Sequence, residues 1–382
     1  VDELTAKLDA AEWEPLGSAT AYRAPEQPLF RDSSELVLAD GDAAGGRRVN
    51  DLLNGGLHEL MAADPDVMVL GEDLLDPYGG AFKVTKGLST AYPDRVFSTP
   101  ISEAAIVGFG NGWSLAGGKA VVEIMFGDFA ALAVDQIVNQ AAKMHFMYGG
   151  KVCVPVTVRL VSGGYRGYGP THSQSLESLF CGVPGLEVVA LSRRHDPRAL
   201  LGAAVGRDPN PVLFVENKLI YSMRVHTGAP AGFRFVPGRA PSGSVYPSLR
   251  FTTTEPGAAA DVTVVTYGGM TDMVEEAMEQ LILDEELEFD YFVLSQLSPL
   301  SVDDVVASVT VTKRLVTVEE GPRRYGVGTE VVSRVAEALP GQSIRVALVG
   351  AEDLPIPNSR VQETDVLPSR ERIVGAIRRV WS

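Results

Sequence analysis

The chain is poor in cysteine, in aromatic residues and in positive charge. Its 382 residues include two cysteines, Cys153 and Cys181, both in apolar surroundings. That is too few for a disulfide framework or a thiolate metal site, and a reducing compartment is expected. Lys and Arg number 33 against 49 Asp and Glu, for a net charge of −16. With no basic stripe to displace counterions from phosphate, a nucleic-acid partner is not expected. A small acidic ligand in a locally positive pocket remains compatible with that charge. No apolar run reaches the roughly 20 residues that cross a bilayer, so no membrane partner is expected either. The opening stretch VDELTAKLDAAEWEP lacks the basic-then-apolar order of a signal peptide, which points to the cytoplasm. Internal repeats and low-complexity blocks are also missing.

What is present describes a globular chain, 45% hydrophobic and 21% charged, long enough for two domains with full cores. Residues 1–46 read as an N-terminal arm. Leu4, Leu8 and Ala11 have helical spacing over Asp2 to Trp13, but Pro15, Pro25, Pro28 and the GDAAGG run break any continuation. The arm is expected either to lie across a partner subunit or to be loosely ordered, and its removal to leave the sheet intact. Residues 47–225 form a first domain, with a helix over Val49 to Ala63 and strands at Val67 to Leu70, Ala120 to Met125, Val152 to Leu160, Leu186 to Ala190 and Val212 to Glu216. Its helices are expected after Pro100, over Ala130 to Tyr148 as one long element, and over Pro197 to Val205. Residues 226–256, rich in Pro, Gly and Ser, read as a linker. Residues 257–382 alternate strand and helix, which implies a second parallel sheet covered on both faces.

Chemistry-bearing residues gather at strand ends. Glu72 follows the strand at Val67 to Leu70, where parallel sheets present their ligand-facing groups. Glu103 stands near the start of an apolar, glycine-dotted helix, two residues after Ile101. An unpartnered carboxylate buried there costs several kcal/mol; a first-turn acid complementing the helix dipole is the plainer alternative. The GFGNG run lies inside this helix and is not a dinucleotide fingerprint. Phe126, Asp128 and Phe129 close the next strand, with core filling as the simple role for the aromatics. The loop Ser162 to Ser175, SGGYRGYGPTHSQS, carries Arg166, Tyr168 and His172, and such loops on a rigid sheet commonly hold function. For His172 a structural role, and for Arg166 a solvated one, are the alternatives. Asp208 and Asn210 sit in a turn that their turn-forming chemistry alone would explain.

The segment TPISEAAIVGFGNGWSLAGGKAVVEIMFGDF, with GEDLLDPYGGAFKVTKGL, DQIVNQAAK, THSQS, VPGLEVV, VTVEEG and LPSRERI in the same order, closely resembles one family. It is the beta subunit of the thiamine-diphosphate-dependent decarboxylating component of 2-oxo-acid dehydrogenase complexes, within the transketolase-like superfamily. The resemblance runs from about Val49 to the C-terminus. It implies an α/β fold of two doubly wound parallel-sheet domains, a transketolase-like pyrimidine-binding domain and a transketolase C-terminal domain. It assigns Glu103 to the ring nitrogen of the cofactor's aminopyrimidine, where a carboxylate favours the imino tautomer that accepts the thiazolium proton. Phe129 would stack on that ring and Ile101 would adjoin the cofactor. His172 would meet the substrate and the lipoyl arm, and Glu72 would belong to an acidic proton path between distant active sites. Arg166 and Tyr168 are substrate candidates, and Asp208 and Asn210 are possible ligands of a structural potassium ion.

The family holds the cofactor's diphosphate through Mg2+, with a GDG motif and later paired asparagines in the alpha subunit. Here the nearest fragment, Asp40-Gly41-Asp42, lacks that setting. The resemblance therefore implies half of a thiamine diphosphate site, activity only with an alpha subunit, and an α2β2 heterotetramer. The expected reaction is decarboxylation of a small 2-oxo acid, with the acyl unit passed to a lipoyl acyltransferase or an acyl carrier protein. One alternative is transfer of a two-carbon ketol unit from a ketose phosphate to a carrier protein, which Arg166 and the Tyr168-Gly169-Pro170 run keep open. A non-catalytic scaffold is another, and the presence of both Glu103 and His172 speaks against it.

Overall fold

A computed structural model describes residues 20–240 and 243–382. The helix expected over Asp2 to Trp13 lies outside the described residues. Thirteen strands follow in chain order: β1 Val67–Gly71, β2 Val96–Ser98, β3 Lys119–Ile124, β4 Val156–Ser162, β5 Glu187–Ala190, β6 Val212–Asn217, β7 Arg234–Val236, β8 Leu249–Thr252, β9 Val262–Tyr267, β10 Phe289–Leu294, β11 Gln296–Ser298, β12 Arg314–Pro322 and β13 Arg345–Ala351. They make two sheets, ordered β11-β5-β6-β4-β3-β1-β2 and β13-β12-β9-β10-β8-β7.

Strands β1 to β6 pair in parallel throughout, and β9, β10, β12 and β13 do the same in the second sheet. Every residue of β1, β4 and β6 is buried, as Val-rich strands covered on both faces must be. Helices cover them, among them Val49–Ala63, Glu103–Leu115, Pro197–Gly206, Thr271–Glu285 and Arg370–Trp381. Two large apolar clusters form the core, and each draws on both halves of the chain. Leu52, Phe214, Val274 and Ile377 belong to one, and Ile106, Val158, Phe292 and Val331 to the other. The two domains thus share their buried surface. Strand β11, from the second half of the sequence, even completes the edge of the first sheet by pairing antiparallel with β5.

Three expectations change. The linker 226–256 contributes β7 and β8, which extend the second sheet antiparallel from β10. The arm packs as core over its described part: Leu29, Phe30, Leu36 and Leu38 are buried, and Ser33 N–H donates to Gly238 O at 2.8 Å. The single helix expected over Ala130 to Tyr148 is three unlike pieces, a 3-10 segment Gly127–Ala133, a π segment Asp135–Ala141 and an α segment Ala142–Met147. Asn111 from the facing helix donates to Gln136 O at 2.9 Å within that π segment. Such π geometry commonly marks functional positions.

Candidate active site

The carboxyl ends of β1, β2, β3, β4 and β6 all open toward the same end of the first sheet, because these strands are parallel. Strands β1 to β4 each lead there to a residue singled out from the sequence, and β6 leads to one that was not. Glu72 follows β1, Glu103 lies just past β2, Phe129 just past β3, the Arg166–His172 loop follows β4, and Lys218 follows β6. That end of an open parallel sheet is where ligands bind.

Glu103 is the first residue of its helix, behind Ser102, which makes no side-chain capping bond. It is therefore a first-turn acid at the positive end of the helix dipole, as the plainer alternative had it. Its side chain is nonetheless 6% exposed, and among the described residues its carboxylate has no hydrogen-bond partner. Burial raises the Glu72 carboxyl above its ordinary range, and the negative charges of Glu103, Asp73 and Glu123 raise it further. Two acids thus stand close enough for the charge of one to act on the other. Ile101 is 83% exposed on the rim beside them.

On the neighbouring strand ends an aromatic cluster forms. The His172 ring meets Phe126 edge-on at 4.8 Å and Phe129 at 5.1 Å between centroids, Phe129 meets Phe126 at 6.2 Å, and Tyr168 meets Phe126 at 6.2 Å. Phe129 and His172 are half-buried and Tyr168 exposed, so faces of this cluster remain open to a planar ligand. Asp128, between the two phenylalanines, accepts from Gln174 N and Nε2 at 3.2 and 3.0 Å, while its Oδ2 is buried without a partner. Arg166 is not a surface arginine. It donates from Nη2 to Lys218 O at 3.1 Å, and its Nε is buried and unpartnered.

Beneath this end of the sheet lies a charge network that the sequence reading missed. Arg159 on β4 is fully buried, donates to Glu216 on β6 through Nε and Nη2 at 2.7 Å each, and reaches Glu123 on β3 with Nη1. Tyr221 adds its hydroxyl to Glu216. The available signal was one charge interrupting each of three apolar strands, in AVVEI, VTVRLV and VLFVEN.

Asp208 and Asn210 lie at the opposite end, before β6 begins. Asp208 Oδ1 accepts from Asn210 N at 3.0 Å, its Oδ2 accepts from Tyr246 at 2.7 Å, and Asn210 donates to Glu187 at 2.8 Å and to Arg23 O at 3.0 Å. Burial raises both acids, Glu187 to about 9, with the Asp208 charge adding to the rise. Among the described residues these groups thus bond one another, Tyr246 and Arg23.

Residues 47–223 match the transketolase pyrimidine-binding domain, and residues 255–373 match the transketolase C-terminal domain. The chain is 38% identical over 355 residues to the pyruvate dehydrogenase E1 component subunit beta-1, mitochondrial, of Arabidopsis thaliana, covering 92% of this chain and 94% of that one. It is 36% identical over 339 residues to the acetoin:2,6-dichlorophenolindophenol oxidoreductase subunit beta of Cupriavidus necator, covering 86% and 95%. A solved split-gene transketolase, an inactive beta4 tetramer, shares the fold at a TM-score of 0.66 and 22% identity, over 88% of this chain and 99% of its own. With both domain matches and relatives of this identity spanning nearly its whole length, the chain belongs to the family of beta subunits of thiamine-dependent 2-oxo-acid dehydrogenases.

Proposed function

We propose that this subunit supplies the aminopyrimidine half of a thiamine diphosphate site shared with an alpha chain, and that the pair decarboxylates a 2-oxo acid. The observation that carries this reading is Glu103, a helix-start acid only 6% exposed whose carboxylate has no hydrogen-bond partner among the described residues, at the same end of the sheet as the open aromatic cluster. A partnerless buried acid calls for a ligand hydrogen bond, and the residues therefore fit the cofactor. Glu103 would bond the pyrimidine ring nitrogen, Phe129 would stack against the ring, and the exposed Ile101 would bear on it at the rim. When bound, thiamine diphosphate supplies the electron sink that decarboxylation requires. Glu103 would hold and share the proton at the pyrimidine, and Glu72, close enough for the Glu103 charge to act on it, would exchange it. His172 offers its imidazole to the substrate and to the acyl acceptor, with Arg166 and Tyr168 beside it.

Mg2+ would be held mainly by the alpha chain, since the nearest fragment here, Asp40-Gly41-Asp42, lacks the setting of the family's diphosphate motif, and Asp208 and Asn210 are the residues that would hold a structural potassium ion. An α2β2 assembly is supported by apolar side chains left in solvent on and near the helix that Glu103 opens: Ile101, Phe109, Leu132 and Met147 are all exposed. The acceptor is a lipoyl acyltransferase or an acyl carrier protein. The free thiols Cys153 and Cys181 agree with a reducing compartment, which we take to be the cytoplasm.

A second reading keeps one observation in its favour. Among the described residues Arg166 Nε and Lys218 Nζ are buried cationic atoms without partners at the strand ends that carry the His172 loop, and a phosphate-bearing ketose would suit them as well as a carboxylate. Co-purification with an alpha-type chain, followed by turnover of 2-oxo acids and ketose phosphates with an artificial electron acceptor, separates the two. Thiamine-diphosphate-dependent turnover of 2-oxo acids is expected. Turnover confined to ketose phosphates would select the ketol-transfer reading, and none with either class would overturn both.

A further inference from the structure

The loop that carries His172 springs from the first domain, yet the second domain holds it. Glu320, at the end of β12, accepts from Gly164 N at the loop's start and from Asn217 Nδ2 at 2.7 Å. Glu363, on the helix Arg360–Val366, accepts from Gly167 N at 2.7 Å and from Ser173 Oγ at 3.4 Å, next to His172. Glu363 is fully buried and Glu320 nearly so. Neither carboxylate was foreseen from sequence, and neither touches the aromatic cluster directly. The loop glycines suit the arrangement. Gly167 has φ +73°, and a Cβ there would stand 3.2 Å from Asn358 O; a Cβ on Gly164 would meet Leu367 Cδ1 at 2.6 Å. The second domain can approach this closely only because those side chains are missing.

Lys218, just past β6, is fully buried, with its ammonium 5.7 Å from the Phe126 ring centroid and without a hydrogen-bond partner among the described residues. Burial pulls Lys218 down to about 8, opposed chiefly by the charge of Glu320 and then of Asp128. Burial likewise lifts Glu320 to about 7, opposed by the bond from Gly164 and the charge of Lys218. The charge of each thus opposes the effect of burial on the other.

We propose that Glu320 and Glu363 are positioning residues, fixing from the second domain the loop that presents His172. This rests on the reading that His172 meets the substrate. Docking of the two domains then becomes a condition for an ordered substrate site.

The test uses the complex with the alpha-type chain and two readouts. Amide hydrogen exchange over residues 163–175 follows loop placement with no turnover required. Steady-state kinetics follow its consequence. Glu363→Ala is expected to speed exchange at Gly164 and Gly167 tenfold or more and to raise KM for the 2-oxo acid by a larger factor than it lowers kcat. Glu363→Gln, which retains an accepting oxygen, is expected to restore most of both. Unchanged exchange in Glu363→Ala overturns the proposal, and so does a loosened loop with wild-type KM and kcat. If Glu363→Ala fails to assemble, Ser173→Ala, which removes one of the two bonds, is read by the same criteria. Wild-type kinetics in His172→Ala would instead overturn the functional reading, while the exchange data would still decide whether the second domain holds the loop.

Discussion

Arg159 grips Glu216 with two parallel hydrogen bonds of 2.7 Å in the middle of the first sheet, with neither side chain exposed to solvent. A third charge, Glu123, completes the set from the adjacent strand. Burying ions is costly, and such a group is tolerable only while each charge keeps its partner. Its place directly under the strand ends gives it a second consequence, since Glu123 is one of the charges that raise Glu72.

Arg159→Met should therefore destabilise the chain by about 3–5 kcal/mol, because it leaves two buried carboxylates facing each other with no cation. Urea denaturation at neutral pH measures it. A loss below about 1 kcal/mol would mean that the acids take up protons at little cost and that the network is a minor contributor.

Glu103→Gln should leave the fold and the melting temperature close to wild type, since no hydrogen bond within the described residues is lost. Turnover in the assembled complex should drop about a hundredfold or more, the usual range for removing a positioned proton-transfer group. Near-normal turnover at saturating thiamine diphosphate would refute the role given to Glu103.

Much of the fold was legible because the strands are short apolar runs and the helices keep a 3.6-residue period. The helix Val49–Ala63 and the strand Val262–Tyr267 fall where the spacing predicts them. The segment after Ala130 did not, because an apolar run with helical spacing does not distinguish α from 3-10 or π winding, which differ by one hydrogen-bond step. Glu72, Glu103, Phe129 and His172 were legible as a set through family resemblance, and strand polarity explains why they share one end of the sheet. The network of Glu123, Arg159 and Glu216 and the clasp of Glu320 and Glu363 join residues 36 to 196 positions apart. Local pattern carries no such pairing. Three-residue strands such as β7 and β11 are likewise too short to show a period.

The arm offers a prediction that reverses the expectation drawn from its prolines. Phe30 is buried against Tyr246, with ring centroids 5.9 Å apart, and Leu36 beside it is fully buried. Phe30→Ala should cost about 3–5 kcal/mol, as for other aromatic truncations in a packed core. Deleting residues 1–46 should give a poorly folded or insoluble product. A truncated chain with wild-type denaturation behaviour would show that the arm is an accessory after all.

His195 should make stability depend on pH in a defined direction. Its Nδ1 accepts from Ser192 N–H at 3.0 Å, so Nε2 carries the proton and bonds Ser295 Oγ at 2.9 Å, which in turn donates to Pro247 O at 2.8 Å. The ring is fully buried, and burial pulls it down to about 3. The unfolded chain, with His near its ordinary value of about 6.5, therefore binds a proton that the folded chain refuses. The contribution of neutral His195 is complete above about 6.5 and falls by about 1.4 kcal/mol per pH unit below it, down to about 3. Urea denaturation of the wild type and His195→Gln at pH 7, 6 and 5 isolates this, since other titrations are common to both chains. The wild type's advantage should shrink at each step toward acid. A constant gap would mean that His195 accepts its proton while folded, with the Ser192–Ser295 bridge rearranged around the charge.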